Sequence, residues 1–165
     1  MKLKTIVLTL TSAVVLLSLH ACVYNDAVTV FEEEYIFTSA DIEGYEDWTV
    51  LGHSDRPDIN QYRTIYINKA EEADRTDGLY PVGTIIVKEG RNHGDRSQIV
   101  ALQVMAKRGG EFNPLGNHWE WAYTASGDVE ALDNNRGDNE ITLNGTTCIS
   151  CHQGANDLVI KSYKE

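Results

Sequence analysis

Two cysteines and a histidine near the C-terminal end have a spacing that suits one particular chemistry. Cys148, Cys151 and His152 form the motif C-x-x-C-H. Two thiols three residues apart on a helical turn can each add to one vinyl group of a haem, and the adjacent histidine can then bind the iron. The motif predicts one covalently attached haem c per chain, with Cys148 and Cys151 as attachment sites and His152 as the proximal iron ligand.

Two other kinds of site use similar cysteine spacings. A C-x-x-C redox pair normally lies in a thioredoxin-like βαβ context, and a zinc site needs a second Cys or His pair nearby in the sequence. Neither pattern accompanies the motif in this sequence. Covalent haem attachment also requires export to an oxidising compartment, which the N-terminal residues independently predict.

The sequence offers few candidates for a second iron ligand. Only 13 residues follow His152, so a distal ligand would have to come from upstream. Met105 has the alternation of a core strand residue, and His53, His93 and His118 have no pattern that favours ligation. We therefore expect an iron with one protein ligand and an open distal face. Such a site suits small-molecule binding or catalysis more than simple electron relay.

The N-terminal residues read as a targeting segment. A lysine-containing start precedes residues 6–19, which carry no charge and are too few for a comfortable membrane span. This run ends in the sequence LHAC, which resembles a bacterial lipobox and predicts a lipoprotein signal peptide over residues 1–21 with lipid on Cys22. Since His20 is unusual in that motif, cleavage without lipidation and an uncleaved N-terminal anchor stay open.

The residues next to Cys22 include no aspartate, which weakly favours the outer membrane for a lipoprotein. The sequence therefore predicts a periplasmic protein whose contact with a membrane is through its N-terminal lipid alone. After the anchor, residues 22–38 form an acidic tether, and residues 39–165 form the haem-binding domain.

The charge of the chain is strongly acidic. It has 25 acidic and 14 basic residues, a net charge of −11, and removing residues 1–21 takes away two lysines and no acid, which makes it −13. Because phosphate binding needs a basic surface, this balance argues against nucleic acid as a partner. It favours a basic redox partner instead.

The pattern of the mature chain is mainly β, in the α+β class. We predict a single antiparallel β-sheet domain with a few short helices and the haem motif at its C-terminal end. Strands are predicted at 62–67, 83–89, 99–107 and 118–125, helices at 39–48 and 68–74, and loops at 51–61, 90–97 and 126–140.

Two basic residues lie within these strands. Arg63 alternates in phase with Ile65 and Ile67, so burial of that face would require a partner for its charge, such as a haem propionate or an iron-bound ligand. Its alternative is a solvated edge-strand arginine. Lys88 follows a run of apolar and β-branched residues, and burial there would lower its pKa and favour the nucleophilic free amine. Its alternative is a strand-end lysine in water or paired with Glu89.

The order of several segments resembles the cytochrome P-460 family and its relatives, the β-sheet cytochromes c′ (c′-beta). The segments are WTVLG (48–52), YRTIYIN (62–68), YPVGTIIVKE (80–89), HWEWAY (118–123), CISCH (148–152) and NDLVI (156–160). The resemblance covers roughly residues 40–162. It implies a mostly antiparallel β fold, a homodimer, a five-coordinate haem c, and periplasmic oxidation of hydroxylamine to nitrogen oxides with electron transfer to an acceptor cytochrome.

The resemblance also implies roles for the two basic residues. In that family the lysine of G-T-x-x-V-K-E bonds covalently to a meso carbon of the haem, and here it is Lys88. The arginine of R-T-x-Y lies in the distal pocket, and here it is Arg63. Lys88 and Arg63 are thus the candidate catalytic residues.

The sequence departs from the family at one point. Members that oxidise hydroxylamine use a pocket carboxylate shortly before the haem motif, whereas residues 143–147 (LNGTT) contain none and the nearest upstream acid is Glu140. Two hypotheses follow. The first is an enzyme that oxidises hydroxylamine. The second is a c′-beta-type protein that binds nitric oxide without turnover, in a pocket for which Phe112, Trp119 and Trp121 are candidate aromatic residues.

Overall fold

Consecutive antiparallel strands build the sheet that the alternating sequence pattern predicts. A computed structural model describes residues 33–69, 79–143 and 145–160. The strands follow one another across the sheet in chain order, and each pairs with its neighbours in antiparallel fashion. They are β1 (Thr49–Arg56), β2 (Gln61–Ile67), β3 (Ile85–Asn92), β4 (Ile99–Lys107), β5 (Trp119–Thr124) and β6 (Arg136–Gly137).

The remaining regular structure is short. A two-stranded hairpin, β7 (Thr142–Leu143) and β8 (Thr146–Thr147), leads into the single helical turn α1 (Cys148–His152). The other helices are 3₁₀ turns at Ser39–Ile42, Tyr45–Asp47, Pro57–Ile59, Pro114–Gly116, Glu130–Asn134 and Asn156–Leu158. The mainly β, single-sheet fold with a few short helices is therefore confirmed, as are the four predicted strands. The described residues all belong to one compact unit, Phe31–Glu165.

The loop predicted over 51–61 is wrong, because most of this segment is strand β1. It pairs with β2 from Thr49 opposite Ile67 to Arg56 opposite Gln61, with a register shift between Val50 and Gly52. As an edge strand, β1 needs a partner on one side only, so it tolerates the glycine and charged residues that read as a loop.

Three other predicted boundaries are also corrected. The helix predicted over 39–48 is two 3₁₀ turns, separated by Gly44 in the left-handed region at φ 70°. The loop predicted over 90–97 starts later, because β3 extends to Asn92. The loop predicted over 126–140 includes a 3₁₀ turn and β6. At the helix predicted over 68–74, Asn68 and Lys69 are not helical and the rest lies outside the described residues.

The two faces of the sheet carry different cores. We call the first the packed face; its core residues are Phe37, Ile42, Tyr45, Tyr66, Ile85, Val87, Leu102, Val104, Ala106, Ala122 and Leu132. We call the second the cavity face; its core residues are Ile65, Ile67, Tyr80, Ile86, Met105, Trp119, Trp121, Leu158 and Val159. Trp119 and Trp121 both belong to the cavity-face core, as the alternation of β5 requires. In the described part of the chain no helix is long and apolar enough to span a membrane.

Candidate functional site

The hairpin β7–β8 delivers the C-x-x-C-H motif to the cavity face. The Cys148 N–H donates to the Ile141 carbonyl at 3.0 Å, and the Ser150 hydroxyl donates to the Thr147 carbonyl at 2.7 Å. These bonds hold the start of α1 against the hairpin. Both thiols are free: Cys148 is half-buried and Cys151 is exposed. Two free thiols of one helical turn therefore lie beside the sheet.

The ring of His152 is oriented by its neighbours. Its Nδ1 lies 2.7 Å from the Leu158 carbonyl oxygen. A carbonyl can only accept, so Nδ1 carries the proton and donates it, and Nε2 keeps a free lone pair. The Trp121 ring packs edge-on against the imidazole with centroids 4.9 Å apart. Burial lowers the pKa of His152. The neutral, Nδ1-protonated ring is the form that binds a metal through Nε2.

A cavity of about 300 Å³ opens on the cavity face beside the motif. It brings together all five site residues predicted within the described chain: Arg63, Lys88, Cys148, Cys151 and His152. Most of the other lining residues are apolar or carry hydroxyl groups, and no carboxylate is among the described residues that line it. The sixth predicted site residue, Cys22, which would carry the lipid, lies outside the described residues.

The two basic residues of the cavity are partly buried without an acid beside them. Burial, with the nearby Arg63 charge, lowers the pKa of Lys88 to about 8. Burial also lowers the pKa of Arg63, whose Nε donates to Gln61 Oε1 at 3.0 Å. Neither residue forms an ion pair with any residue that the structure describes. The alternative in which Lys88 pairs with Glu89 is wrong, because Glu89 faces the opposite side of the sheet and contacts Tyr45 and Arg91.

The other candidate ligands divide between the cavity and the surface. Met105 is buried in the cavity-face core, as predicted, and it also lines the cavity. Three histidines do not line the cavity: the ring nitrogens of His53, His93 and His118 contact Thr64, Asp55 and the Phe112 carbonyl, respectively. Of these four candidates for a second iron ligand, Met105 is thus the one that the described structure places at the cavity.

The aromatic candidates are only partly correct. Trp121 lines the cavity, whereas Trp119 and Phe112 do not. The Trp119 indole donates to the Asp157 carbonyl, and Phe112 packs beneath the Arg108 guanidinium. Sequence reasoning missed Gln103 and Tyr123 as lining residues. The alternation of β4 and β5 could have found both, since Gln103 is in phase with Met105 and Tyr123 with Trp121.

The residues present fit a haem better than the alternatives. The free thiols, the imidazole with an available Nε2 and the largely apolar walls match the needs of a c-type haem. Within the described ranges, no group of three or more His, Cys, Asp or Glu side chains could hold a metal ion, which disfavours the zinc alternative. The βαβ context of a thioredoxin-like redox pair is also missing from the sheet, which is antiparallel throughout.

Comparison with known proteins supports the same assignment. The model of the family described as Cytochrome P460 matches residues 42–161. No curated protein matches the chain. The matched range begins just before β1 and ends after the C-x-x-C-H motif, so it includes the whole sheet and the cavity. The chain belongs to the cytochrome P460 family, and its cofactor is a haem.

Proposed function

We propose that this haem is bound covalently by Cys148 and Cys151, with His152 as its axial ligand, and that the protein oxidises hydroxylamine and passes the electrons to an acceptor cytochrome. One observation carries the proposal: the cavity places the Lys88 amine beside both thiols and the imidazole. A motif alone would fit any c-type cytochrome, whereas a buried lysine at the same site is what the haem cross-link of the hydroxylamine-oxidising relatives requires.

The chain's own residues have separable tasks at this site. When bound, a haem supplies the Lewis acidity and the redox capacity for the reaction. His152 offers Nε2 as the axial ligand while the Leu158 carbonyl holds its other nitrogen. Cys148 and Cys151 supply the thiols for attachment. Together these residues fix the cofactor against the cavity face of the sheet.

Lys88 has the properties of a nucleophile. With a pKa of about 8, a useful fraction of its amine is unprotonated near neutral pH. Its strand position between Ile65 and Gln103 holds it on the cavity face. These features support the covalent bond from Lys88 to the haem that the family resemblance implies.

Arg63 has the properties of an anion-binding or ligand-orienting group. Its guanidinium lines the cavity, and among the described side chains it has a hydrogen bond with Gln61 but no ion pair. Several of its N–H donors are therefore available to a haem propionate or to a polar ligand. The cost of burying its charge would be offset by such a partner.

Oxidation of hydroxylamine requires the removal of protons, and the described lining of the cavity offers no carboxylate as a general base for this step. Its described lining includes the hydroxyls of Ser54, Thr146 and Thr147 but no carboxylate, and a hydroxyl cannot act as a base near neutral pH. Protons from hydroxylamine would pass to water. This observation favours a second candidate function, binding of nitric oxide without turnover, as in the c′-beta type.

Two measurements on one preparation test the proposal. The protein is expressed with haem-maturation machinery, digested, and searched by mass spectrometry for a haem joined to both the 148–152 peptide and the Lys88 peptide. Hydroxylamine-dependent reduction of an acceptor cytochrome is then assayed. Lys88→Met should abolish the cross-link, and Lys69→Met, which removes a lysine outside the cavity, should not.

The outcomes separate the two functions. Cross-linking together with turnover supports hydroxylamine oxidation. A cross-link without turnover, or a haem without the cross-link that binds nitric oxide tightly, would replace hydroxylamine oxidation by gas binding. A preparation without thioether-bound haem would contradict both.

We further propose a homodimer in the periplasm, attached to the outer membrane through lipid on Cys22. The lipobox-like sequence and the family resemblance support this location and this assembly. Fractionation of cells that express the full chain tests the location: Cys22→Ser should release the protein from membranes, and release that does not change would contradict lipid attachment. Sedimentation of the holoprotein tests the dimer.

A further inference from the structure

A buried ion pair joins the end of β4 to the segment that follows the haem motif. Lys107 Nζ lies 2.7 Å from Asp157 Oδ1 and 2.9 Å from Oδ2. The Lys107 side chain is 8% exposed and that of Asp157 is 0% exposed. Asp157 Oδ2 also accepts from the Tyr80 backbone N–H at 2.8 Å, and the Asp157 carbonyl accepts from the Trp119 indole at 2.8 Å. Asp157 thus connects its segment to three other parts of the chain.

The backbone at this point has an unfavourable conformation. Asp157 has φ 45° and Leu158 has φ 59°, two consecutive non-glycine residues in the left-handed region. Such a conformation persists only where surrounding contacts hold it. For Asp157 those contacts are the ion pair with Lys107 and the bond from Tyr80. The ion pair is therefore placed to hold the local path of the chain.

That path sets the direction of one carbonyl. Leu158, which directly follows Asp157, accepts the hydrogen bond of 2.7 Å from His152 Nδ1. If Asp157 lost its anchor, the segment could relax out of the left-handed region and turn this carbonyl away. The imidazole would then keep its contact with Trp121 but lose the acceptor that fixes its protonation.

We propose that Asp157, held by Lys107, is a positioning residue for His152, because it fixes the Leu158 carbonyl that accepts the proton of His152 Nδ1. The inference rests on the proposed function, since it takes His152 as the axial ligand. An acceptor at Nδ1 increases the basicity of the ligating Nε2 and so favours the ferric form. Weakening that acceptor should raise the reduction potential of the haem.

A graded series of variants of the holoprotein tests this role. Asp157→Asn removes the charge but keeps a side chain that tolerates the left-handed backbone, and Asp157→Gly removes both side-chain contacts and tolerates it too. We expect the reduction potential to rise and the ferrous iron–histidine stretching frequency in resonance Raman spectra to fall. Both shifts should be larger for Asp157→Gly. Loss of packing alone would not raise the reduction potential and lower the stretching frequency in this graded order.

Glu120→Gln provides the matched control. Glu120 is a buried carboxylate that directly follows Trp119 in the sequence. It faces the packed side of the sheet and pairs with Arg108 and Arg136. The Glu120→Gln variant should be less stable than the unaltered protein, with an unchanged haem reduction potential and an unchanged iron–histidine stretching frequency. If Asp157→Gly does not yield folded holoprotein, Asp157→Asn combined with Lys107→Met removes both charges together, and the same shifts are expected of it.

The possible failures are distinguishable. If the unaltered protein shows no iron–histidine mode, or if His152→Ala retains that mode, the axial-ligand assignment of the proposed function is wrong. If the mode is present and depends on His152, but the folded Asp157 variants have unchanged potential and frequency, the positioning role is overturned.

Discussion

The packed face of the sheet and the cavity on its other face treat buried charge in opposite ways. On the packed face, Glu89 is 1% exposed and contacts both Arg91 and the Tyr45 hydroxyl, while Glu120 is 3% exposed and lies between Arg108 and Arg136. In the cavity, Arg63 and Lys88 are partly buried, and neither forms an ion pair with the residues that the structure describes. The paired charges of Lys107 and Asp157 lie on the same face of the sheet but do not line the cavity.

This difference distinguishes charged residues that stabilise the fold from charged residues that are available to bind a ligand. A buried charge that is paired and hydrogen-bonded contributes to a defined native structure. A buried charge that is left unpaired costs free energy unless something outside the chain compensates for it. Since both faces belong to the same strands, variants of neighbouring residues can test the distinction directly.

The largest effect on folding is expected from the packed face. Glu89→Ala leaves Arg91 without its partner and removes the acceptor of the Tyr45 hydroxyl bond, which is 2.6 Å long. Breaking a buried pair by removing one member costs about 3–5 kcal/mol. The free energy of unfolding from denaturant titration should fall by this amount. The haem absorption spectrum of the folded fraction should stay unchanged, and a large spectral change would contradict the separation of the two faces.

Removing the charge of Lys88 should have the opposite effect on the free energy of unfolding, since this buried charge destabilises the folded chain. In haem-free protein the pKa of Lys88 is about 8 in the folded state, against 10.5 for an unperturbed lysine. The unfolded state therefore binds more protons between these values, and the stability that this residue contributes rises with pH across that window. Lys88→Met should remove this slope and be more stable at pH 7 by at most about 3 kcal/mol.

Denaturant titrations of both proteins at several pH values between 7 and 10.5 measure this difference. The two free energies of unfolding should converge at the upper end of the range. Parallel curves for Lys88→Met and the unaltered chain would show that the amine is not buried. Lys69→Met is the control and should leave the slope in place.

A matched pair of arginines sharpens the comparison further. Arg63→Gln should weaken nitric oxide or hydroxylamine binding by about 10- to 100-fold, the effect of one hydrogen bond from a charged group, with little change in stability. Arg91→Gln should lower stability, because it leaves Glu89 unpaired, and should leave ligand affinity unchanged. Spectroscopic titration measures affinity and denaturant titration measures stability. Equal effects of both variants on affinity would contradict a special role for Arg63.

The sequence predicted the central strands of the sheet better than its edge and better than the polar contacts between distant residues. Alternation placed Arg63 and Met105 correctly because each lies on a regular strand with apolar neighbours in phase, and the apolar run before Lys88 correctly indicated its burial. Alternation missed β1, where an edge position lets polar residues occupy a strand. It also missed the pairing of Lys107 with Asp157, because these residues are 50 positions apart and meet only through the fold. A polar contact between distant residues has no periodic signal in a sequence.

Met105→Leu should have the smallest effect of these variants, and its absorption spectra decide whether the distal face is open. Met105 is 7% exposed, packs with Ile86 and Trp121 on the cavity face and lines the cavity, so it is a possible iron ligand as well as a core residue. Met105→Leu conserves volume and should cost less than about 1.5 kcal/mol of stability. If the distal face is open, the ferric and ferrous absorption spectra of the holoprotein should be the same in both forms. A change of spin state in the variant would show that the thioether binds the iron, and the cavity face would then hold a closed six-coordinate site rather than one that is open to small molecules.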